Sequence, residues 1–262
     1  MQGQNHRPAI DQRVNILGVN VGTQTAEELI QLILSAIKHN EKIIISYVNV
    51  QVINIAQKEN WFMEFLNQNS VTYCDGYGIK VGAHLIGQYI PERYTPPDWL
   101  PQLASACSLN DLRLFFLGSQ PGVAEKAAQK LRLQYPGLRI VNTHHGYFDK
   151  TPNCQENENI INMINSRHSD ILVLGLGSLI QERWLIDNWD LLSCCVAVPV
   201  GAAFDYLSGD LRRAPPWMTN HGLEWFGRLL IEPKRLWKRY LLGIPLFLIN
   251  ILKQRLQIFA LK

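Results

Sequence analysis

Asp75 is the carboxylate in this chain best placed to do chemistry. It ends a short β-type run and is followed at once by Gly76, Tyr77 and Gly78, where a helical pattern begins. An aspartate so placed has two readings. It supplies ordinary Asp-Gly turn chemistry, or it is a base held where a ligand sits, taking a proton from an attacking hydroxyl. Cations follow much later: Arg213 ahead of Ala214-Pro215, then Arg228, Arg235, Lys238 and Arg239. Arginine grips phosphate through paired N–H groups, so this set can hold a diphosphate leaving group; it can equally be a solvated basic face. The chain has no D-x-D pair of the kind that holds a divalent metal in many nucleotide-sugar enzymes, so cations of the protein would have to serve. His144 and His145 are neighbours without an acid at ligand spacing, which favours hydrogen bonding in a loop over metal binding.

These residues need a scaffold. Short apolar or β-branched runs at 42–48, 70–74, 112–117, 138–142, 170–174 and 195–200 alternate with helical patterns at 26–38, 50–66, 79–87, 122–134, 156–167 and 179–191. That alternation predicts an α/β fold: a Rossmann-like, mainly parallel sheet with helices on both faces. After the successive strands come Asn49, Asp75-Gly76, Gly118-Ser119, His144-His145-Gly146, Gly175-Leu176-Gly177 and Gly201-Ala202. Ligands of open parallel sheets bind outside the carboxyl ends of the strands, so all of these are expected on one functional edge. Gly175-Leu176-Gly177 opens like a dinucleotide fingerprint, but Ile180 stands where its third glycine belongs, which leaves an NAD site weakly supported.

At 262 residues and 47% hydrophobic, the chain can bury a large core. Its net charge of +3 gives no argument for nucleic acid. From Leu229 to Lys262, however, seven basic residues face one acid, Glu232, so the excess sits at the C-terminal end and points to an anionic surface or a phosphate. The five cysteines are scattered, which fits a reducing compartment. The first residues are polar and lack the apolar centre of a signal peptide, so a cytoplasmic location is expected. The greasy stretch 241–252 is about half of the roughly 20 residues needed to span a bilayer and is flanked by basic residues. An interfacial segment is expected there, removable from 241 onward without loss of the core. The organisation expected is a flexible tail over 1–12, a catalytic core over 13–205 and a helical, membrane-associating appendage over 206–262.

Taken together, the motifs resemble the WecG/TagA/CpsF glycosyltransferases, glycosyltransferase family 26, over residues 14–247. The carriers are YCDGYG at 73–78, the region 114–126, GYF at 146–148, DILVLGLG at 170–177 with QERW at 181–184, GAAFD at 201–205 and RAP at 213–215. The most specific are GLEW at 222–225 with Arg228, EPKR at 232–235 and Arg239-Tyr240. The resemblance implies an inverting, metal-independent transfer, with no cofactor. The sugar, of N-acetylmannosamine, mannosaminuronic acid or glucose type, would pass from a UDP-sugar to a polyprenyl-diphosphate-linked glycan at the inner face of a bacterial membrane, in cell-surface polysaccharide synthesis. It implies that Asp75 is the base and that Arg213, Arg228, Arg235, Lys238 and Arg239 contact diphosphate or membrane. The substrate-binding set it suggests is Tyr47, Asn49, Gly76, Gly118, Gly146, Tyr147, Gly175, Gln181, Gly201 and Asp205, with helix capping as the other reading of Asp205.

Three departures gather around the expected sugar pocket and leave the sugar open. Tyr47-Val48-Asn49 replaces T-x-N, GSLIQE at 177–182 replaces G-x-P-x-Q-E, and RYTPPD at 93–98 replaces R-x-x-G-x-D. Two rivals stand beside this reading: a nicotinamide-dependent oxidoreductase on a similar sheet, and a membrane adaptor that kept the fold and lost turnover. Partners expected are the UDP-sugar, the lipid-linked acceptor and an anionic membrane surface, with a homo-oligomer left open.

Overall fold

The structure, a computed structural model, describes residues 13–260; the expected tail lies outside the described residues. It opens on a hairpin that the sequence pattern did not signal. Leu17 and Gly18, both at positive φ, turn β1 (Arg13–Ile16) back onto β2 (Val19–Gly22). Helix α1 (Ala26–Lys38) begins at a reciprocal cap, in which Thr25 and Glu28 satisfy each other's backbone N–H. Then come β3 (Ile43–Val48), α2 (Val50–Ala56), α3 (Asn60–Gln68), β4 (Val71–Cys74) and α4 (Tyr77–Leu85). The helix expected over 50–66 is thus two helices, broken after Ala56. Helix α5 (Pro96–Leu109) falls in a proline-rich stretch to which the sequence pattern assigned no element. Its first prolines sit at the opening helical positions, where their missing N–H groups cost nothing, and Asp98 caps Thr95.

The second half alternates β5 (Arg113–Gly118), α6 (Val123–Gln134), β6 (Arg139–His144), α7 (Gln155–Ser166), β7 (Ile171–Gly175), α8 (Ile180–Asn188), β8 (Val196–Pro199) and α9 (Ala203–Ser208). The eight strands lie in the order β1-β2-β4-β3-β8-β7-β5-β6, and every pairing except β1 with β2 is parallel. β7 and β8 are buried along their whole length, as central parallel strands should be. β3 and β8 lie side by side, yet the chain leaves β3 toward β4 and reaches β8 from β7 on the other side. That reversal opens a crevice at the carboxyl ends of β3 and β8, where open sheets bind ligands.

Past α9 no further strand occurs among the described residues. Helices α10 (Pro216–Asn220), α11 (Glu224–Ile231) and α12 (Pro233–Trp237) lead into one wide π-type turn, Lys238–Leu242, and then α13 (Gly243–Ala260). Pro233 starts a new helix, as its fixed φ favours. Pro245 accounts for the wide turn: it has no N–H for the Leu241 carbonyl, and its ring would strike that carbonyl.

The helix is longer than the greasy stretch suggested. From Pro233 to Ala260 it runs 28 residues, long and apolar enough by length and composition to cross a membrane, with a mean hydropathy of 1.3 over its most apolar window. Its inner side is nevertheless built into the core. Phe247 and Ile251 are fully buried, and a Cβ on Gly82 of α4 would stand 2.7 Å from the Phe247 ring. Asn54 of α2 donates to the Gly243 carbonyl at 2.8 Å. Gln254 accepts from Leu17 N–H and donates to the Asn15 carbonyl, both at 3.0 Å, pinning the helix to the β1–β2 turn. Removing everything from Leu241 onward therefore uncovers core side chains, contrary to the expectation that the rest would be spared.

Candidate active site

Asp75 stands one residue past β4, and its N–H still bonds across the sheet to the Val48 carbonyl at 2.8 Å. Asn49, one residue past β3, caps α2 by accepting from Val52 N–H at 3.1 Å through Oδ1. That cap settles the orientation of the amide, so its Nδ2 is the atom that donates to Asp75 Oδ2, at 2.9 Å. Gly76 then turns the chain at φ 102°, a value that side chains with a Cβ resist, and open space lies where its Cβ would be. Two neighbouring strand ends, after β3 and β4, thus fix the acid.

Asp75 lies at the junction of two chambers. One, of about 290 Å³, is walled by Val50, Val81, Trp225, Ile244, Phe247 and Leu248 and lies under α13. The other, of about 340 Å³, reaches the strand ends at Tyr47, Gly177, Ser178, Gly201 and Ala202. Asn49, Gln51, Asp75, Thr95, Glu224, Arg228 and Arg239 line both. The arrangement offers an apolar half, a polar half and a carboxylate between them.

Burial raises the pKa of Asp75 to about 6, with Glu224 adding to the rise, while the Asn49 hydrogen bond, Arg228 and Arg239 oppose it. Such an acid is largely ionised at neutral pH and more basic than an ordinary aspartate, which suits a general base. Arg228 lies 5.5 Å over the Tyr206 ring, and its buried Nε has no hydrogen-bond partner. Burial draws the Arg239 guanidinium below its ordinary value. Among the described residues neither arginine has an ion-pair partner, so both are uncommitted cations facing Asp75.

Comparisons with known proteins identify the family. Residues 14–260 match the model of the glycosyl transferase WecG/TagA/CpsF family. This chain belongs to that family. It is 27% identical over 248 residues, 94% of each chain, to a protein of Staphylococcus aureus strain NCTC 8325 / PS 47 named N-acetylglucosaminyldiphosphoundecaprenol N-acetyl-beta-D-mannosaminyltransferase. Proteins of the same name from strains MRSA252 and MW2 match at the same identity and coverage. As a WecG/TagA/CpsF glycosyltransferase the chain is an enzyme, and the oxidoreductase and adaptor readings fall away.

In this WecG/TagA/CpsF chain the structure gathers Asp75, Asn49, Tyr47, Gly76, Gly201, Arg228, Arg235 and Arg239 at the cleft. The Tyr47 hydroxyl meets Ser178 Oγ at 3.3 Å. Gln181 is fully buried and acts behind the wall: Gly201 N–H donates to its Oε1 at 3.2 Å, and its Nε2 donates to Glu182 at 2.7 Å. Glu182 also accepts from Leu179 N–H at 2.5 Å, and burial pushes its carboxyl up to about 7.

Other residues of the expected set are not among the cleft lining. A Cβ on Gly118 would stand 2.4 Å from the Gly175 backbone, one on Gly175 2.7 Å from Phe204, and one on Gly146 2.9 Å from Leu176. These glycines let protein approach protein at those faces, whereas beside Gly76 and Gly177 the space is open. Asp205 lies within the first turn of α9 rather than at its cap, and accepts from Ser119 Oγ at 2.7 Å. Tyr147 is 66% exposed. His144 Nδ1 meets the His145 carbonyl at 2.8 Å and Tyr147 N–H donates to His145 Nδ1, the hydrogen-bonding duty expected of the pair. Arg213 is consumed by ion pairs to Asp98 and Glu224, and Lys238 lies over Trp237 outside both chambers. Glu224 and Arg93 are the charged residues of the cleft that the sequence reading missed. The GLEW and RYTPPD motifs contained them, but nothing local showed that the two meet.

Proposed function

We propose that this enzyme moves an N-acetylmannosamine-type sugar from a UDP-sugar to a polyprenyl-diphosphate-linked N-acetylglucosamine acceptor, with inversion and without a metal, in cell-surface polysaccharide synthesis. The observation that carries the reading is the position of Asp75 between a polar and an apolar chamber. The names of the relatives support the sugar and the acceptor. The nucleoside diphosphate occupies the polar half at the carboxyl ends of β7 and β8. Arg228 and Arg239, with Arg235 at the rim, take up the negative charge that grows on the departing diphosphate. The acceptor enters from the apolar half, and Asp75 removes the proton of its attacking hydroxyl as the new bond forms at the anomeric carbon. Asn49 keeps the carboxylate aimed.

The lipid-linked acceptor also gives the last helix its purpose. Leu241, Leu242, Leu246, Ile249, Leu252, Leu256 and Phe259 are exposed, opposite the buried Phe247 and Ile251. A helix tied to the core on one side cannot cross a bilayer without tearing those contacts, so it lies in the interface with its outer side in lipid. The enzyme then works as a peripheral protein on the cytoplasmic side of the membrane, with Trp237, Lys238 and Arg255 near the headgroups.

The test is release of UDP from a panel of UDP-sugars with a polyprenyl-diphosphate N-acetylglucosamine acceptor, with EDTA present throughout. Acceptor-dependent release with the N-acetylmannosamine donor is expected. Activity lost on chelation and restored by a divalent cation would overturn the metal-free mechanism, and release only from another UDP-sugar would overturn the donor.

A further inference from the structure

Glu224, in the first turn of α11, has no part in the steps above, yet its carboxylate faces both chambers and is only 18% exposed. One oxygen takes Arg93 Nη1 at 3.5 Å and the other takes Arg213 Nε at 3.3 Å. The same two arginines meet Asp98, at 3.7 and 2.6 Å. Two carboxylates and two guanidiniums so form a closed, neutral set joining the 93–98 stretch of the core, residue 213 and α11. Further bonds tie the same parts together. Arg93 Nη2 donates to the Thr219 carbonyl at 2.7 Å, and Arg213 Nη2 donates to Thr95 Oγ1 at 3.1 Å. The Arg93 guanidinium also lies 5.1 Å over the Tyr77 ring. Arg228 is four residues beyond Glu224, on the same side of α11. Because both oxygens of Glu224 are held by other arginines, Arg228 is left to face Asp75.

We infer that Glu224 is a positioning residue: through Arg93 and Arg213 it holds α11 closed on the core and sets Arg228 opposite Asp75. The inference rests on the proposed transfer reaction for its catalytic consequence, but the latch itself needs no substrate. Exposed single ion pairs are weak; this set is partly buried and shares four partners. Glu224 also brings a like charge toward Asp75, which favours the protonated acid. The other groups around Asp75 are Arg228 of α11, Arg239 of the wide turn, the Tyr47 and Tyr73 phenols of β3 and β4 and the Cys74 thiol that ends β4.

The experiment compares the full-length wild type with Glu224→Gln and Arg213→Gln, first by amide hydrogen exchange without substrate, then by pH–rate profile. In both variants, exchange over residues 224–240 should quicken about tenfold or more, with β7 and β8 unchanged. In both variants kcat/KM should fall, Glu224→Asp should recover part of it, and in Arg213→Gln, which keeps the Glu224 charge, the acid limb should move up as Arg228 leaves Asp75. A purely structural acid would lower activity and leave the limb in place. Unchanged exchange over 224–240 in both variants overturns the latch, and an acid limb unmoved in Arg213→Gln overturns the positioning role. If Glu224→Gln loses protection everywhere, Arg213→Gln, which removes one arm only, decides. A wild type that transfers no sugar defeats the reaction proposed above, while the exchange result still decides the latch.

Discussion

Asp75 and Asn49 are coupled in a way that single substitutions can separate. Asp75→Asn removes the base and should lower kcat about 10²- to 10⁴-fold. Wild-type kcat/KM should fall below about pH 6, following the raised pKa of Asp75. Asn49→Asp makes a sharper test, because aspartate caps a helix as well as asparagine does. The cap to Val52 N–H survives, so Tm should change little near pH 5, where Asp75 is protonated, and should fall below wild type as pH rises and the two carboxylates ionise together. A second carboxylate in place of the donated N–H pushes Asp75 further up, so the acid limb should move above pH 6. An acid limb that stays in place in Asn49→Asp would mean that Asp75 is not the group being titrated.

Helix α13 does two jobs with its two sides, and substitutions should divide them. Phe247→Ala empties a fully buried site against Gly82 and should cost about 3–5 kcal/mol, read by chemical denaturation. Replacing Leu246, Ile249 and Leu252 together by glutamine alters only exposed positions. That variant should keep the wild-type Tm and lose flotation with anionic liposomes of phosphatidylglycerol and cardiolipin. Full flotation of the glutamine variant would remove the interfacial role from this side of the helix. Both sides were present in the sequence as one greasy stretch. Periodicity there was blurred by Gly243, Pro245 and the wide turn, so the pattern showed apolar content without showing which residues face inward.

For the molecule as a whole, stability should fall as pH rises from about 4 to 7, in part through two buried acids. Asp75 and Glu182 have folded-state pKa values of about 6 and 7, above their ordinary 3.8 and 4.5. The folded state therefore binds more protons than the unfolded one; the stabilisation is full below the unfolded values and is lost as pH rises through the folded ones. Measured as Tm against pH, Glu182→Gln should flatten that decline relative to wild type, most visibly between pH 5 and 7. An equal slope in both proteins would show that Glu182 does not titrate in that window. Strand-helix alternation, the functional edge of the sheet and the run around Asp75 were all legible in the amino-acid order, because each depends on residues near one another in the chain. The opening hairpin was not, since four-residue strands leave too little periodicity, and α5 was hidden by prolines that in fact start it. By itself, then, the sequence determined an α/β sheet with an acid at a strand end and cations far downstream. Only the tertiary structure decided which cations meet the acid: Arg228 and Arg239 reach it, while Arg213 is neutralised by Asp98 and Glu224. Asp75 and Arg228 lie 153 residues apart and Asp98 and Arg213 lie 115 apart, and charge allocation among them is a matter of distance in space, which no local pattern carries.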